Sequence, residues 1–402
     1  MGGKITGLRH AIISAISITL AFAVLLAAPA KLAHADPIRL RGDALAETQS
    51  PAGLIVLQGE DKLRPWVNAE ALVWAGARPD ATADVLVLSV RLRAPHGRGE
   101  VRAGRFVFAT GAIRPVQIDG VSGLARSPWG SSLEAMVGTP VASRMAPSLY
   151  DWIAAGRVSQ SIAERSVVGF SYVQDRDHAE IANHEVGADF AAAPAKWLDF
   201  AARGTYDLTS PGIADALLST AVRSGDLRVE GFATHRSPSR LLPATSLFSV
   251  LGDFPSDTIG STIRWNAAPR LDLWVTGAGQ VVGGDVGGNA SVRGLLRLDE
   301  KGTRSLGFEA RRQDVSTAKW TGFRAVGVQP IGRHFRFSTE LEVALPDAPG
   351  RRGSVWPWGL MALAWRSGTG WEVATAAEGA STPEHRFELN ALLRVSRVLE
   401  LP

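Results

Sequence analysis

The stretch Trp197-Leu198-Asp199-Phe200-Ala201-Ala202-Arg203-Gly204-Thr205-Tyr206-Asp207-Leu208 decides how this chain is read. Leu198, Phe200, Ala202, Tyr206 and Leu208 fall on one side of a period-two pattern, and Asp199, Arg203, Thr205 and Asp207 fall on the other. Successive side chains of an extended strand point to opposite faces, so the pattern describes a strand with one apolar and one polar face. Its length matters as much as its phase. Strands of ordinary globular proteins average roughly 5–6 residues, whereas a strand that crosses a bilayer needs roughly 9–11.

The same pattern recurs along the chain. In residues 182–190, Val186, Ala188 and Phe190 oppose Asn183, Glu185 and Asp189. In 335–345, Phe335, Phe337, Thr339, Leu341 and Val343 oppose Arg336, Ser338, Glu340 and Glu342. In 385–395, Phe387, Leu389, Ala391, Leu393 and Val395 oppose Arg386, Glu388, Asn390 and Arg394. The connectors alternate too. Tight ones fall at 163–165, 193–196, 224–226, 267–270, 299–303, 331–333 and 367–370, and looser ones at 175–181, 209–213, 237–256, 282–288, 313–319, 346–354 and 380–384. Short turns at one edge and longer loops at the other are the habit of outer-membrane barrels.

About twenty candidate strands fit between Pro65 and Arg397, and the expected range is roughly 16–20, with 18–20 favoured, for an even-numbered bacterial barrel. Taking the tight turns as periplasmic puts both chain ends in the periplasm. The expected fold is therefore all-β, a transmembrane antiparallel up-and-down β-barrel over residues 61–402. Residues 36–60 read as a periplasmic leader or plug contact, with Leu54–Leu57 as a candidate extra strand.

Residues 1–35 read as a cleaved signal peptide: Lys4, Arg9 and His10 form a basic head, an apolar run follows, and Ala33-His34-Ala35 supplies the small residues read at cleavage. Its removal leaves 367 of 402 residues and takes away three of the 43 Lys and Arg but none of the 39 Asp and Glu. The remainder is close to neutral, with no Lys/Arg-rich run of the kind that binds nucleic acid. Beyond the signal no stretch of about 18 apolar residues occurs, so membrane residence has to come from strands. The absence of Cys excludes disulfides, zinc thiolates, iron–sulfur clusters, cysteine nucleophiles and lipoprotein acylation. Trp66, Trp152, Trp197, Trp265, Trp320, Trp365 and Trp371 stand at strand ends beside turns, where an amphipathic indole suits the headgroup level of an aromatic girdle.

With these features the chain resembles a bacterial outer-membrane β-barrel. Porin-like character lies in Val101-Arg102-Ala103-Gly104-Arg105-Phe106-Val107-Phe108-Ala109-Thr110-Gly111 and the following Asp119-Gly120. The resemblance implies a Gram-negative outer-membrane location, lipid around the barrel, and insertion by the barrel-assembly machinery. Such barrels usually end on Phe or Trp, whereas this sequence closes on Val398-Leu399-Glu400-Leu401-Pro402.

Function in such a fold rests on the lumen and the loops. The phase places Arg157, Arg203, Arg228, Glu230, Arg264, Arg293, Arg297, Arg324, Arg336, Glu340, Arg386 and Arg394 inward. Arg outnumbers acid there, which suits anionic solutes; the other reading is Arg–carboxylate networks that hold strands in register. Leu241, Leu242, Leu247 and Phe248, in the longest connector, are candidates for a constriction loop folded into the mouth. His178, His184 and His235 are scattered and offer neither a Ser–His nucleophile pair nor a zinc spacing. Gly283-Gly284-Asp285-Val286-Gly287-Gly288 joins two strands, so it is a turn and not a phosphate cradle. No catalytic residue, cofactor or metal is expected. The function expected first is a porin-like channel for polar, anion-favoured solutes. The alternatives are a barrel subunit of a polysaccharide or secretion export complex opened by a periplasmic partner, and a structural or adhesive barrel.

Overall fold

The computed structural model describes residues 38–47, 52–64, 66–78, 80–141, 151–237, 256–315, 318–348, 355–381 and 387–401. Their regular structure is strand apart from one 3-10 turn at Pro95–Gly97. The first seven strands are β1 (Ile38–Glu47), β2 (Ala52–Arg64), β3 (Val67–Arg78), β4 (Asp80–Arg93), β5 (Gly99–Thr110), β6 (Ile113–Arg126) and β7 (Ser131–Pro140). There follow β8 (Trp152–Ala163), β9 (Ser166–Asp177), β10 (Glu180–Ala195), β11 (Leu198–Asp207), β12 (Gly212–Ser224), β13 (Leu227–Arg236) and β14 (Ser256–Ala268). The last eight are β15 (Leu271–Val282), β16 (Asp285–Arg297), β17 (Ser305–Val315), β18 (Ala318–Ile331), β19 (Phe335–Pro346), β20 (Trp356–Arg366), β21 (Trp371–Ala380) and β22 (Glu388–Leu401).

All 22 strands belong to one sheet. Consecutive strands pair antiparallel, and β1 pairs with β22 from Ile38↔Leu401 to Glu47↔Leu392, so the fold is a closed antiparallel barrel. Closure leaves no free edge of unpaired N–H and C=O groups, which is the condition for a sheet to live in hydrocarbon. Among the described residues no helix is long and apolar enough to cross a membrane.

The sheet comprises two compact units. In the unit of residues 89–294 and 310–320, the alternation read from the sequence is realised side chain by side chain. One face of β8–β10 exposes Val158, Phe170, Tyr172 and Val186, and the other carries Arg157, Ser171, Asp175, Glu185 and Asp189. Ordinary folding would hide Phe170, yet it is 65% exposed; an apolar outer band of this kind belongs in lipid. In the other unit, Phe335, Leu341, Met361, Leu363, Leu389 and Leu393 are exposed on the apolar face. Its polar face carries an ion-pair chain. Arg394 Nη2 lies 2.7 Å from Asp43 Oδ1, Arg41 Nε lies 2.8 Å from Asp43 Oδ2, and Glu372 is held by Arg366. The Arg394–Asp43 pair joins β22 to β1 across the closing seam.

The structure extends the sequence reading in two places. The twenty strands expected from Pro65 onward are β3–β22, and two more precede them. The segment 36–60, expected as a periplasmic leader or plug contact, carries β1 and most of β2. The candidate extra strand at Leu54–Leu57 lies within β2, where four successive apolar residues conceal a period of two. Connectors after even-numbered strands are short, as expected. Several after odd-numbered strands are as short, however: β9–β10 turns on His178-Ala179 and β15–β16 on Gly283-Gly284. Pairing simply continues past the apolar band through polar residues such as Asn183 and Asp177.

Candidate functional site

The polar face of β5–β9 departs from the pattern. Positions that ought to be polar hold Phe106, Phe108, Val116, Ile118, Met136, Ile153, Ala155 and Val173, and they form a buried cluster. Phe106, Ile118 and Ile153 are at most 1% exposed. Something must cover them from the polar side, and the cover is the end of the β5–β6 hairpin.

The hairpin leaves the wall at a row of glycines. Gly104 and Gly120 are cross-strand partners, as are Gly120 and Gly138. A Cβ on Gly138 would lie 2.6 Å from the Asp119 carbonyl oxygen and 2.8 Å from the Gly120 Cα, so no side chain fits between β6 and β7 at this level. Gly104 has φ 116°, a conformation open to glycine. The β6–β7 ladder ends at Ile118↔Pro140, with one last bond from Val141 N to Gln117 O at 2.9 Å. Beyond it β5 and β6 continue paired to Thr110↔Ile113, and β6 comes against β9, three strands further on. The tip turns on Gly111, with φ 53°.

The tip lies over one set of ion pairs in the wall and is fastened by another. Arg157, on β8, donates from Nε and Nη2 to Asp189 on β10 at 2.9 and 2.6 Å, and from Nη1 to Glu134 on β7 at 3.0 Å. Gly111 sits over this pair, since a Cβ there would run into Arg157 Nε and Asp189 Oδ1. Arg114, just past the tip, is ion-paired with Glu185 on β10. Asn183 Nδ2 donates to Glu185 Oε1 at 3.0 Å and to the fully buried Asp175 at 3.3 Å. Docking thus joins an apolar contact, worth about 1.5–3 kcal/mol for each large side chain buried, to a set of paired charges. On the hairpin's other face, turned away from the wall, Arg105 and Asp119 form a two-bond pair at 2.7 and 2.6 Å.

A second region of the polar face is open. Reading across β12–β15 at one level, Arg223 pairs with Arg228, Arg228 with Arg264, and Arg264 with Trp274. Arg293, from β16 on the far side of β15, lies over the same ring: both guanidinium carbons are 5.5 Å from its centroid.

The expected site residues fall as follows. Arg157, Arg203, Arg228, Glu230 and Arg264 share the polar face of their unit, and Arg293 joins Arg264 at Trp274. Arg203 is 3.7 Å from Asp215, and Arg228 is 3.0 Å from Glu230. In the other unit Arg336 and Glu340 share the polar face, Arg324 Nε is 2.6 Å from Glu340, and Arg394 joins Asp43. Arg297 ends β16. Arg386 and the loop residues Leu241, Leu242, Leu247 and Phe248 lie outside the described residues. Of the seven Trp, five (Trp66, Trp197, Trp265, Trp365 and Trp371) stand at connectors after even-numbered strands. Trp152 and Trp320 stand at the other edge. The sequence reading missed the hairpin, Arg114 and Trp274. A signal was present in Phe106-Val107-Phe108-Ala109, where apolar residues on both faces break the alternation inside a strand.

Comparison with known proteins bears on this fold. No protein-family model matches the sequence, and no curated protein does. Among solved structures, the P pilus usher (PapC) translocation pore aligns with a TM-score of 0.54 at 10% identity, over 91% of this chain and 99% of that one. OccAB3 of Acinetobacter baumannii (TM-score 0.41, 9% identity, 91% and 98% covered) and OpdK of Pseudomonas aeruginosa, solved with vanillate (0.42, 12%, 90% and 98%), are more distant. The chain has the fold of a bacterial outer-membrane β-barrel.

Proposed function

We propose that the chain is an outer-membrane conduit for polar solutes, narrowed from within by the β5–β6 hairpin. One observation carries the reading: a hairpin with a sealed apolar underside is fastened to the polar face of a closed sheet, leaving a charged upper surface of Arg105 and Asp119. In a membrane barrel the polar face is the lumen. On this reading the inward Arg residues named above line the passage, and the hairpin supplies the constriction first sought in 237–256. The Trp residues form the headgroup girdles, supported by Arg176 over Trp152 at 5.6 Å and Arg397 over Trp371 at 4.7 Å. Outer-membrane lipid surrounds the barrel, and the barrel-assembly machinery inserts it.

The likeness in fold to a translocation pore favours a second reading, in which a periplasmic partner opens the barrel for export. Purified protein in planar bilayers separates the two. Steady single-channel currents without any partner support the conduit; a closed barrel that conducts only after partner addition supports export.

A further inference from the structure

We infer that Arg264, Trp274 and Arg293 form a binding site for an elongated organic dianion, one carboxylate on each guanidinium. The inference rests on the polar face of β12–β16 being accessible to solute, as the conduit reading requires. Like charges directly opposite each other on neighbouring strands are destabilising, yet Arg223, Arg228 and Arg264 are successive cross-strand partners. Two of these charges are relieved locally, Arg223 by Asp199 at 2.5 Å and Arg228 by Glu230 at 3.0 Å. Arg264 and Arg293 have no carboxylate partner among the described residues. Each instead lies against the indole of Trp274. An aromatic face attracts a guanidinium without neutralising it or using its N–H donors.

The consequence is a pair of exposed, uncompensated guanidiniums held in place by one ring. They come from the strands flanking β15 on either side, whose backbones are roughly two strand spacings, about 10 Å, apart, and each guanidinium carbon lies 5.5 Å from the centroid of the ring between them. A guanidinium takes a carboxylate through paired N–H donors. A monoanion therefore engages one arm, and a short diacid cannot reach both. A longer diacid bridges them. Thr262 and Thr276, bonded to each other at 3.1 Å on the same face, offer hydroxyls beside the path between the arms.

Calorimetric titration of the detergent-solubilised full chain tests this without any dependence on conductance. The probes are butyrate, succinate and suberate. Suberate is expected to bind at least about tenfold more tightly than butyrate or succinate. Arg264→Gln and Arg293→Gln are each expected to bring suberate down to the level of butyrate, and Arg333→Gln, in the connector between β18 and β19, to leave it unchanged. Heat-dependent gel mobility verifies that each variant is folded. Equal affinity for the three acids, or suberate binding indifferent to both Arg264→Gln and Arg293→Gln, overturns the inference. Bilayer recording then separates the two readings: binding by a barrel that never conducts removes the conduit and keeps the site, whereas conduction without suberate binding does the reverse.

Discussion

Two stretches of the same polar face solve the problem of charge in opposite ways. Over β5–β9 the face is covered: many of its side chains are apolar, the hairpin is bolted to Glu185 through Arg114, and its tip lies over the Arg157–Asp189 pair of the wall. Over β12–β16 the face is open and Arg-rich, with guanidiniums stacked on Trp274 instead of paired. A charge that holds structure together is buried with its partner and costly to remove. A charge offered to a ligand is exposed and held by a contact that leaves it charged. Sequence phase alone assigns Arg157 and Arg264 to one class; their surroundings divide them.

Arg157→Ala should give the largest difference, because it leaves Asp189 and Glu134 charged without their partner in a mostly buried setting. A loss of about 3–5 kcal/mol is expected, read as an earlier urea midpoint for the loss of the fast-migrating folded band. An unchanged midpoint would mean that the covered region is not bolted by this Arg. Ile153→Val, in the wall beneath the hairpin, should cost about 0.5–1.5 kcal/mol by the same assay. Arg264→Gln should lie within about 0.5 kcal/mol of wild type, since no carboxylate is orphaned; a loss comparable to that of Arg157→Ala would collapse the distinction between the regions.

The smallest effect belongs to a turn outside both regions. Asp299 accepts hydrogen bonds from the Thr303 hydroxyl and, at 3.1 Å, from the Arg304 backbone N–H, which hold its carboxyl below the ordinary value of 3.8. A lowered folded-state pKa gives stability that is present above the ordinary value and lost as pH falls through the lowered one. Wild type should therefore lose slightly more stability than Asp299→Asn on acidification below about pH 4, and parallel pH profiles would remove the turn's contribution.

Much of this was legible in the sequence. The alternation in 197–208 gave β11, both of its faces and its charged residues correctly, because a membrane wall with lipid on one side enforces period two. Legibility ended where that constraint did. Phe106–Ala109 carries apolar residues on both faces, and a local pattern does not tell a strand that stays in the wall from one that folds inward. Gly104, Gly120 and Gly138 are distant in sequence, and only register makes them a hinge. The Trp274 site was hidden for the same reason, since its two Arg residues are 29 positions apart and meet only across β15.

The central claim is that the hairpin occupies and narrows the passage. Gly104 and Gly120 face each other across the ladder, so residues 105–119 can be replaced by an Asn-Gly turn that removes from the β6–β7 ladder only its last pairs, Asp119↔Thr139 and Ile118↔Pro140. Single-channel conductance of this variant, with folding verified by gel mobility, is the most direct measurement. The account predicts a conductance several-fold above wild type; a folded variant whose conductance equals that of wild type would contradict it.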